Sequence, residues 1–412
     1  MRCSRPTERT GDRLLPSDSR NRTIFVVALG FWSVALTLGA LRVILPVYFA
    51  SVGVTVSKIA LLFVLFKFSE FLADIGTGVA ANRVGYRPSF IGALGIHSLI
   101  SFLFVFKPTL AVIYLERFVR GLIGMPLLSS VYVKHFSRRE TQRFHINMML
   151  GLRDAAKGIG MFFGGVLIAF LPFEYSVTMF AFITTGAAVV ALLYLPDLKE
   201  EARTPLLKIW GSVDGKTKAL AMARGLLHGA RDAWGIVILP VYLAVVFGLS
   251  PAIIGSIMMG GLVFHGVCET LISRYVGERY EQRQVLLMSG LPLLVICLAM
   301  AVSTSLYLFL VFVFLYELIE ATSVVYYHQL KLDFSSRAQT SIDLGTYEAI
   351  SDAFKPVAVL ISGILADRFG FSWAFYLSAV FVFLSLLMCL RLPKSMPQPA
   401  EVTQASIGLL SN

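Results

Sequence analysis

Twelve apolar runs punctuate this chain, opening near Ile24, Lys58, Ser89, Leu110, Asn147, Ser176, Leu226, Ala252, Val285, Leu306, Ile350 and Trp373. A helix that crosses a bilayer needs about 20 predominantly apolar residues, and each run is long enough, although charges interrupt the fifth and eleventh. Together they use most of the 412 residues and leave no room for a soluble catalytic domain. The expected fold is all-α: a polytopic membrane protein with 12 transmembrane helices. Composition agrees, since 57% apolar and 15% charged residues do not describe a water-facing surface. Cys3, Cys268, Cys297 and Cys389 lie far apart with no CxxC pair, so neither a disulfide framework nor a thiolate metal site is expected. No catalytic triad or phosphate loop is visible, and the reading is of a protein that is not an enzyme and carries no cofactor.

The net charge of +11 would fit a nucleic-acid binder, but its distribution fits a membrane protein better. With the N-terminus taken as cytoplasmic, the tail, the even-numbered connections and the C-terminal tail hold 24 Lys and Arg, whereas the opposite loops hold 3, Lys58, Lys107 and Arg368. Basic residues accumulate on the cytoplasmic side of membrane proteins. Both termini are therefore expected in the cytoplasm, with the lipid bilayer as partner and no nucleic acid. The Arg-rich first 22 residues lack a small-residue cleavage site, so no signal peptide is expected.

The first run contains Val43-Ile44-Leu45-Pro46-Val47-Tyr48-Phe49-Ala50, and the seventh contains Val237-Ile238-Leu239-Pro240-Val241-Tyr242-Leu243-Ala244. The fifth and eleventh agree more loosely: Asp154, Ala155, Lys157, Gly165 and Leu167 stand against Asp352, Ala353, Lys355, Gly363 and Leu365. Two matches in the same order and at nearly one spacing point to an internal duplication. The expected organisation is a basic tail (1–23), a six-helix bundle (24–195), a central loop (196–220), a second bundle (221–390) and a tail (391–412). Proline removes a helical hydrogen bond, so Pro46 and Pro240 are read as matched bends that serve gating.

Charge is distributed unequally among the spans. Spans 3 (89–106), 6 (176–195), 9 (285–303) and 12 (373–390) contain no Asp, Glu, Lys or Arg. An ionised group at the bilayer centre costs roughly 2.5–3.5 kcal/mol even on lenient scales, so charge should gather on helices that line a wet cavity. Where it occurs, its spacing is helical: Lys67, Glu70 and Asp74; His228 and Asp232 with Arg231; His265 and Glu269; Glu317 and Glu320. Acids on one face repel, which marks Glu70, Asp74, Glu317 and Glu320 as candidate proton-coupling groups. The pairs Lys67 with Glu70 and Lys355 with Asp352 can equally be structural neutralisation. Carboxylate with imidazole suits a divalent metal, which marks His265 and Glu269, with Asp74 and Asp232 as further ligands should their helices meet. His97 is read as packing.

Two six-helix halves joined by a basic loop resemble the major facilitator transporters, in which two halves rock about a midplane site. Gly78-Val79-Ala80-Ala81-Asn82-Arg83-Val84-Gly85-Tyr86-Arg87 is similar to that superfamily's loop signature, with Asn82 where Asp is usual, and Arg117 with Gly121 fits its fourth-helix RxxxG pattern. The resemblance implies gating roles for Arg83, Arg87 and Arg117. It also places Arg42 on a cavity-lining helix of one half and Arg231 with Asp232 on one of the other, as substrate-binding residues suited to an anion or a metal chelate. Phe31-Trp32-Ser33, Gly39-Ala40-Leu41-Arg42, Ala156-Lys157-Gly158-Ile159-Gly160 and Gly229-Ala230-Arg231-Asp232-Ala233-Trp234 look like the ArsJ branch, exporters of an organoarsenical phosphate ester. At Leu38 that branch usually has an Asp. The whole chain is more similar to the MamH-type magnetosome transporters, a related branch linked to iron uptake for magnetite formation. These resemblances imply secondary transport of a small molecule or metal across an inner or magnetosome membrane. Organic-anion efflux, and a transporter-like scaffold without flux, remain open; protein partners and the coupling ion stay unassigned.

Overall fold

A computed structural model describes residues 17–137, 142–198, 214–275, 281–334 and 340–393. Most of the basic N-terminal tail, of the central loop and of the C-terminal tail lies outside these residues. Among the described residues the regular structure is helical: α1 (Ser17–Ser51), α2 (Val56–Val84), α3 (Tyr86–Phe102), α4 (Leu110–Gly121), α5 (Met125–Phe136), α6 (Gln142–Phe170) and α7 (Phe173–Tyr194) come first. Then follow α8 (Gly215–Gly235), α9 (Ile238–Val245), α10 (Pro251–Tyr275), α11 (Gln282–Val302), α12 (Leu306–Phe334), α13 (Thr340–Phe369) and α14 (Ser372–Cys389). Spans 4 and 7 are each delivered as two helices, α4 with α5 and α8 with α9. Eight of the helices are long and apolar enough to cross a bilayer by themselves. The other four spans are those that are broken, or that carry charge along their length as α2 and α6 do, and this is why length and apolarity alone miss them. Large apolar side chains such as Leu99, Phe182, Met288 and Phe383 stand exposed on α3, α7, α11 and α14, as lipid-facing supports require. Cys268, Cys297 and Cys389 are free thiols.

The repeated Leu-Pro-Val-Tyr segment is built differently in its two copies. Helix α1 runs unbroken through Pro46, whereas the polypeptide turns at Ile236 and Val237 so that Pro240 falls in the first turn of α9. Proline is tolerated in a first helical turn and costly in an interior. Gly235 precedes the break, where the first copy has Leu41, and glycine is a weak helix former. The bends expected at Pro46 and Pro240 are therefore not equivalent.

The chain divides into two compact units. The first contains Leu65–Thr204 with the segments before Thr55 and Leu243–Leu262; the second contains Pro205–Tyr242 and the residues from Val263 on, with Thr55–Val64. These units cross the expected halves at the first turns of α2 and α10. Asp367 of α13 accepts hydrogen bonds from the Val56 and Ser57 backbone N–H groups at 2.7 and 2.8 Å, tying the start of α2 into the second unit. In the first unit a Cβ on Gly165 of α6 would overlap the Pro251 carbonyl of α10, so only glycine permits that approach.

Inside the units the duplication is visible as recurring contacts. Tyr48 stacks on Phe173 at 3.9 Å, and Tyr242, its repeat partner, packs on Phe371 at 5.4 Å. Arg87 donates to the Leu192 carbonyl at 2.8 Å, and Arg283 donates to the Leu390 carbonyl at 3.0 Å. Helix α1 lies backbone to backbone on α6, with Gly160 against the Leu36 carbonyl and Gly164 against Ala40. Helix α8 lies on α13 in the same way, through Gly225 against Ser351 and Gly229 against Ala358. Small residues allow such close approach, and dispersion together with lipid release then holds helices that gain little from burial in a bilayer.

Candidate functional site

Three helices of the second unit converge on a buried cluster of charge. Arg224 and Arg231 are seven residues apart on α8, and Glu317 and Glu320 are three apart on α12, so each pair shares a helix face. Arg231 holds Glu317 with both arms, Nη2 to Oε2 at 2.8 Å and Nε to Oε1 at 3.2 Å, while Arg224 Nη1 donates to Glu320 Oε1 at 2.9 Å. From α10, His265 presents Nδ1 to Glu317 Oε2 at 3.0 Å and to Glu320 Oε2 at 3.3 Å. Its Nε2 faces Glu269 Oε2 at 4.0 Å, and Glu269 Oε1 lies 3.8 Å from His328 Nδ1 of α12. Trp234 and Tyr316, edge to face at 5.2 Å, close the apolar side.

The two acids do not face one another uncompensated. Each carboxylate has its own guanidinium, so the repulsion expected from their spacing is offset locally. Hydrogen bonding within the cluster is nevertheless incomplete. His265 Nδ1, Glu320 Oε2, the Tyr316 hydroxyl and Trp234 Nε1 are buried and make no hydrogen bond. Buried polar atoms are ordinarily satisfied, and exceptions call for a reason such as a bound ion or a functional role.

The first unit holds a second node of charge, between α3 and α4. Glu116 accepts from Arg117 Nε at 2.7 Å, Arg117 Nη2 at 2.9 Å and Arg120 Nε at 2.6 Å. Arg120 also donates to Ser101 Oγ at 2.7 Å and lies 3.4 Å from His97 Nδ1. His97, expected to be packing, thus packs against a guanidinium. All of these groups are buried and each is partnered.

Similarity to known proteins gives this arrangement a context. The family model described as Major Facilitator Superfamily matches residues 27–209 and 220–408. The chain belongs to the Major Facilitator Superfamily. Among curated relatives, the quinolone resistance protein NorA of Staphylococcus aureus is 28% identical over 102 residues, and the chain spans about a quarter of it, 26%, with 25% of its own length. Among solved structures, a bacterial homolog of the human lysosomal transporter Spinster superposes with a TM-score of 0.75 at 11% identity, over 90% of this chain and 96% of that one. The nucleoside transporter NupG gives 0.71 at 14%, over 90% and 99%. The human organic anion transporter MFSD10 gives 0.65 at 15%, with the same coverage. At these identities the structural likeness concerns the fold. Family and fold together make the chain a multi-pass membrane protein of this superfamily.

In this family member the other sequence candidates stand on α1, α2, α3, α8 and α13. Arg42 is half-buried on α1 in the first unit, and Asp232 is half-buried beside Arg231 on α8. Lys67 bonds Glu70 at 2.6 Å on α2, and Lys355 bonds Asp352 at 2.7 Å on α13. Asp74 and Asn82 lie on α2, with side chains outside the described set. Arg83 is exposed, and Arg87 holds the end of α7 as described above. The cluster thus brings Arg231, Glu317, Glu320, His265 and Glu269 together. Sequence reasoning missed Arg224, Glu116, Arg120 and His328. A signal existed for the first, since Arg224 and Arg231 are a heptad apart, but Arg224 precedes the apolar run that opens at Leu226. For Glu116 and Arg120 the signal was their i, i+4 spacing on span 4.

Proposed function

We propose that this chain moves iron, as the ion or as a chelate, across an inner or magnetosome membrane by alternating access. One observation carries the reading: a facilitator half buries an imidazole against two carboxylates with hydrogen-bonding capacity left over. Burying ionisable side chains in a bilayer is costly, and here, unlike at Glu116, the cost is met without satisfying every polar atom. The resemblance to the magnetosome branch supplies the element, and imidazole with carboxylate suits a first-row divalent metal. Arg231 is engaged by Glu317, so an anionic cargo recruiting it together with Arg42 would first have to break a bidentate ion pair. This favours the metal reading over organic-anion export. Glu317, Glu320 and, on α2, Glu70 and Asp74 are the groups through which a proton would couple.

Flux into proteoliposomes is the test, with ferrous ion, ferric citrate and a small organic anion offered separately. Saturable uptake of either iron species supports the proposal; uptake of the anion alone replaces it, and no uptake of any returns the scaffold reading. For orientation, a cytoplasmic reporter after residue 391 and a periplasmic one near Glu174 are both expected to be active. Inactivity of the second contradicts cytoplasmic termini.

A further inference from the structure

We propose that His265 Nδ1, Glu317 Oε2 and Glu320 Oε2 form a coordination site for one bare divalent cation. The inference rests on the iron reading and deepens it, because it selects the ion over the chelate. One ligand atom from each of these three buried residues lies within 4.8 Å of the others. Metal–nitrogen and metal–oxygen bonds of about 2.0–2.2 Å place neighbouring ligand atoms roughly 2.8–3.6 Å apart at octahedral to tetrahedral angles. His265 Nδ1 stands 3.0 and 3.3 Å from the two carboxylate oxygens. That spacing is the edge of a coordination polyhedron.

A second observation points the same way. His265 is 8% exposed and Glu320 is fully buried, yet His265 Nδ1 and Glu320 Oε2 make no hydrogen bond although they face each other. A cation satisfies both atoms at once. The ligand set, one nitrogen and two oxygens, suits Fe(II), Mn(II), Co(II) or Zn(II) and not the all-oxygen preference of Mg(II) or Ca(II).

The two arginines set the strength of the site. Arg224 takes Glu320 Oε1 and leaves Oε2 open, while Arg231 fixes the Glu317 plane through both oxygens. They orient the ligands as outer partners do in metal sites. They also bring the four fixed charges to zero, so that a divalent ion adds two positive charges to a buried place. Such a site binds weakly and releases readily, as a transport site must. His265 turns its other nitrogen toward Glu269, which is 35% exposed and faces the more exposed His328, giving the ion a route of similar ligands.

Mn(II) alone is the probe, titrated into the purified, untagged full chain in detergent and followed by loss of the aquo-ion electron paramagnetic resonance signal. One saturable Mn(II) per chain is expected, with imidazole nitrogen modulation in the electron spin echo of the wild type. That spectrum needs no variant and so does not depend on a variant folding. In His265→Ala and Glu320→Gln the dissociation constant should rise about tenfold or more. Absence of saturable binding, bound Mn(II) without imidazole modulation, or unchanged affinity in both variants overturns the site. Failure here separates from failure of the transport reading: ferric citrate uptake without Mn(II) binding sinks this site alone. Imidazole-ligated Mn(II) on a chain that moves no iron sinks only the transport reading.

Discussion

The two units bury charge in opposite ways. In the first, one carboxylate, Glu116, serves two guanidiniums, and the remaining donors of Arg120 go to Ser101 and toward His97; every group is partnered. In the second, two carboxylates serve two guanidiniums and an imidazole, and atoms of His265, Glu320, Tyr316 and Trp234 are left over. A saturated buried network fixes one conformation, because any movement exposes an uncompensated charge. An unsaturated one has capacity for something else. The first node thus ties α3 to α4 with every group partnered, and the second is the one that the proposed function uses.

The strongest way to break that assignment is to remove the acid at the centre of the first node. Glu116→Gln leaves two buried guanidiniums without their counter-charge, a loss of about 3–5 kcal/mol. The variant should unfold at a much lower temperature in detergent, or fail to accumulate. A thermal midpoint close to that of the parent protein would show the node to be dispensable. Glu320→Gln leaves one buried guanidinium, Arg224, without its counter-charge where Glu116→Gln leaves two, so its cost lies at the lower end, about 3 kcal/mol. It should fold and lose iron uptake. A stability loss equal to that of Glu116→Gln, with uptake retained, would make the second cluster structural too.

The contrast also shows how much was legible in the sequence. Twelve apolar runs and the Leu-Pro-Val-Tyr repeat gave the helical fold, because the bilayer thickness and the period of a helix act on every span alike. Glu317 with Glu320 and His265 with Glu269 were legible as pairs, since i, i+3 and i, i+4 spacing sets a shared face. That Arg231 and Arg224 would neutralise the acids was not legible, because it depends on which face of α8 turns to α12. Nor was the difference between the two prolines. The octapeptides are nearly identical, and the distinction lies just outside them, where Gly235 stands against Leu41.

That distinction yields a third prediction. If Gly235 together with Pro240 breaks span 7, the double variant Gly235→Ala, Pro240→Ala should close α8 onto α9, because a Cβ at 235 meets no atom within 4 Å. Replacing glycine is worth about 1 kcal/mol of helix propensity. Amide exchange from Ile236 to Val241 should slow about fivefold, whereas Pro46→Ala in the already continuous α1 should change exchange little. Equal slowing in the two would restore the matched bends.

The smallest effect separates the two helix starts that cross the expected halves. Helix α10 begins on its own Ser250, whose hydroxyl accepts from the Ile253 N–H at a long 3.5 Å. Helix α2 instead begins on Asp367, 311 residues away in sequence from Val56, through two short bonds. The first four N–H groups of a helix lack intrahelical partners, and an anion placed there also meets the positive end of the helix dipole. Loss of a cap typically costs about 1 kcal/mol. Asp367→Ala should therefore speed exchange at Val56 and Ser57 about fivefold, while Ser250→Ala changes exchange at Ile253 less than twofold, since a bond at that length holds little. Equal effects at the two starts would mean that the ties of α2 to α13 lie in the close packing of Gly363 on Ala60 and not in the carboxylate.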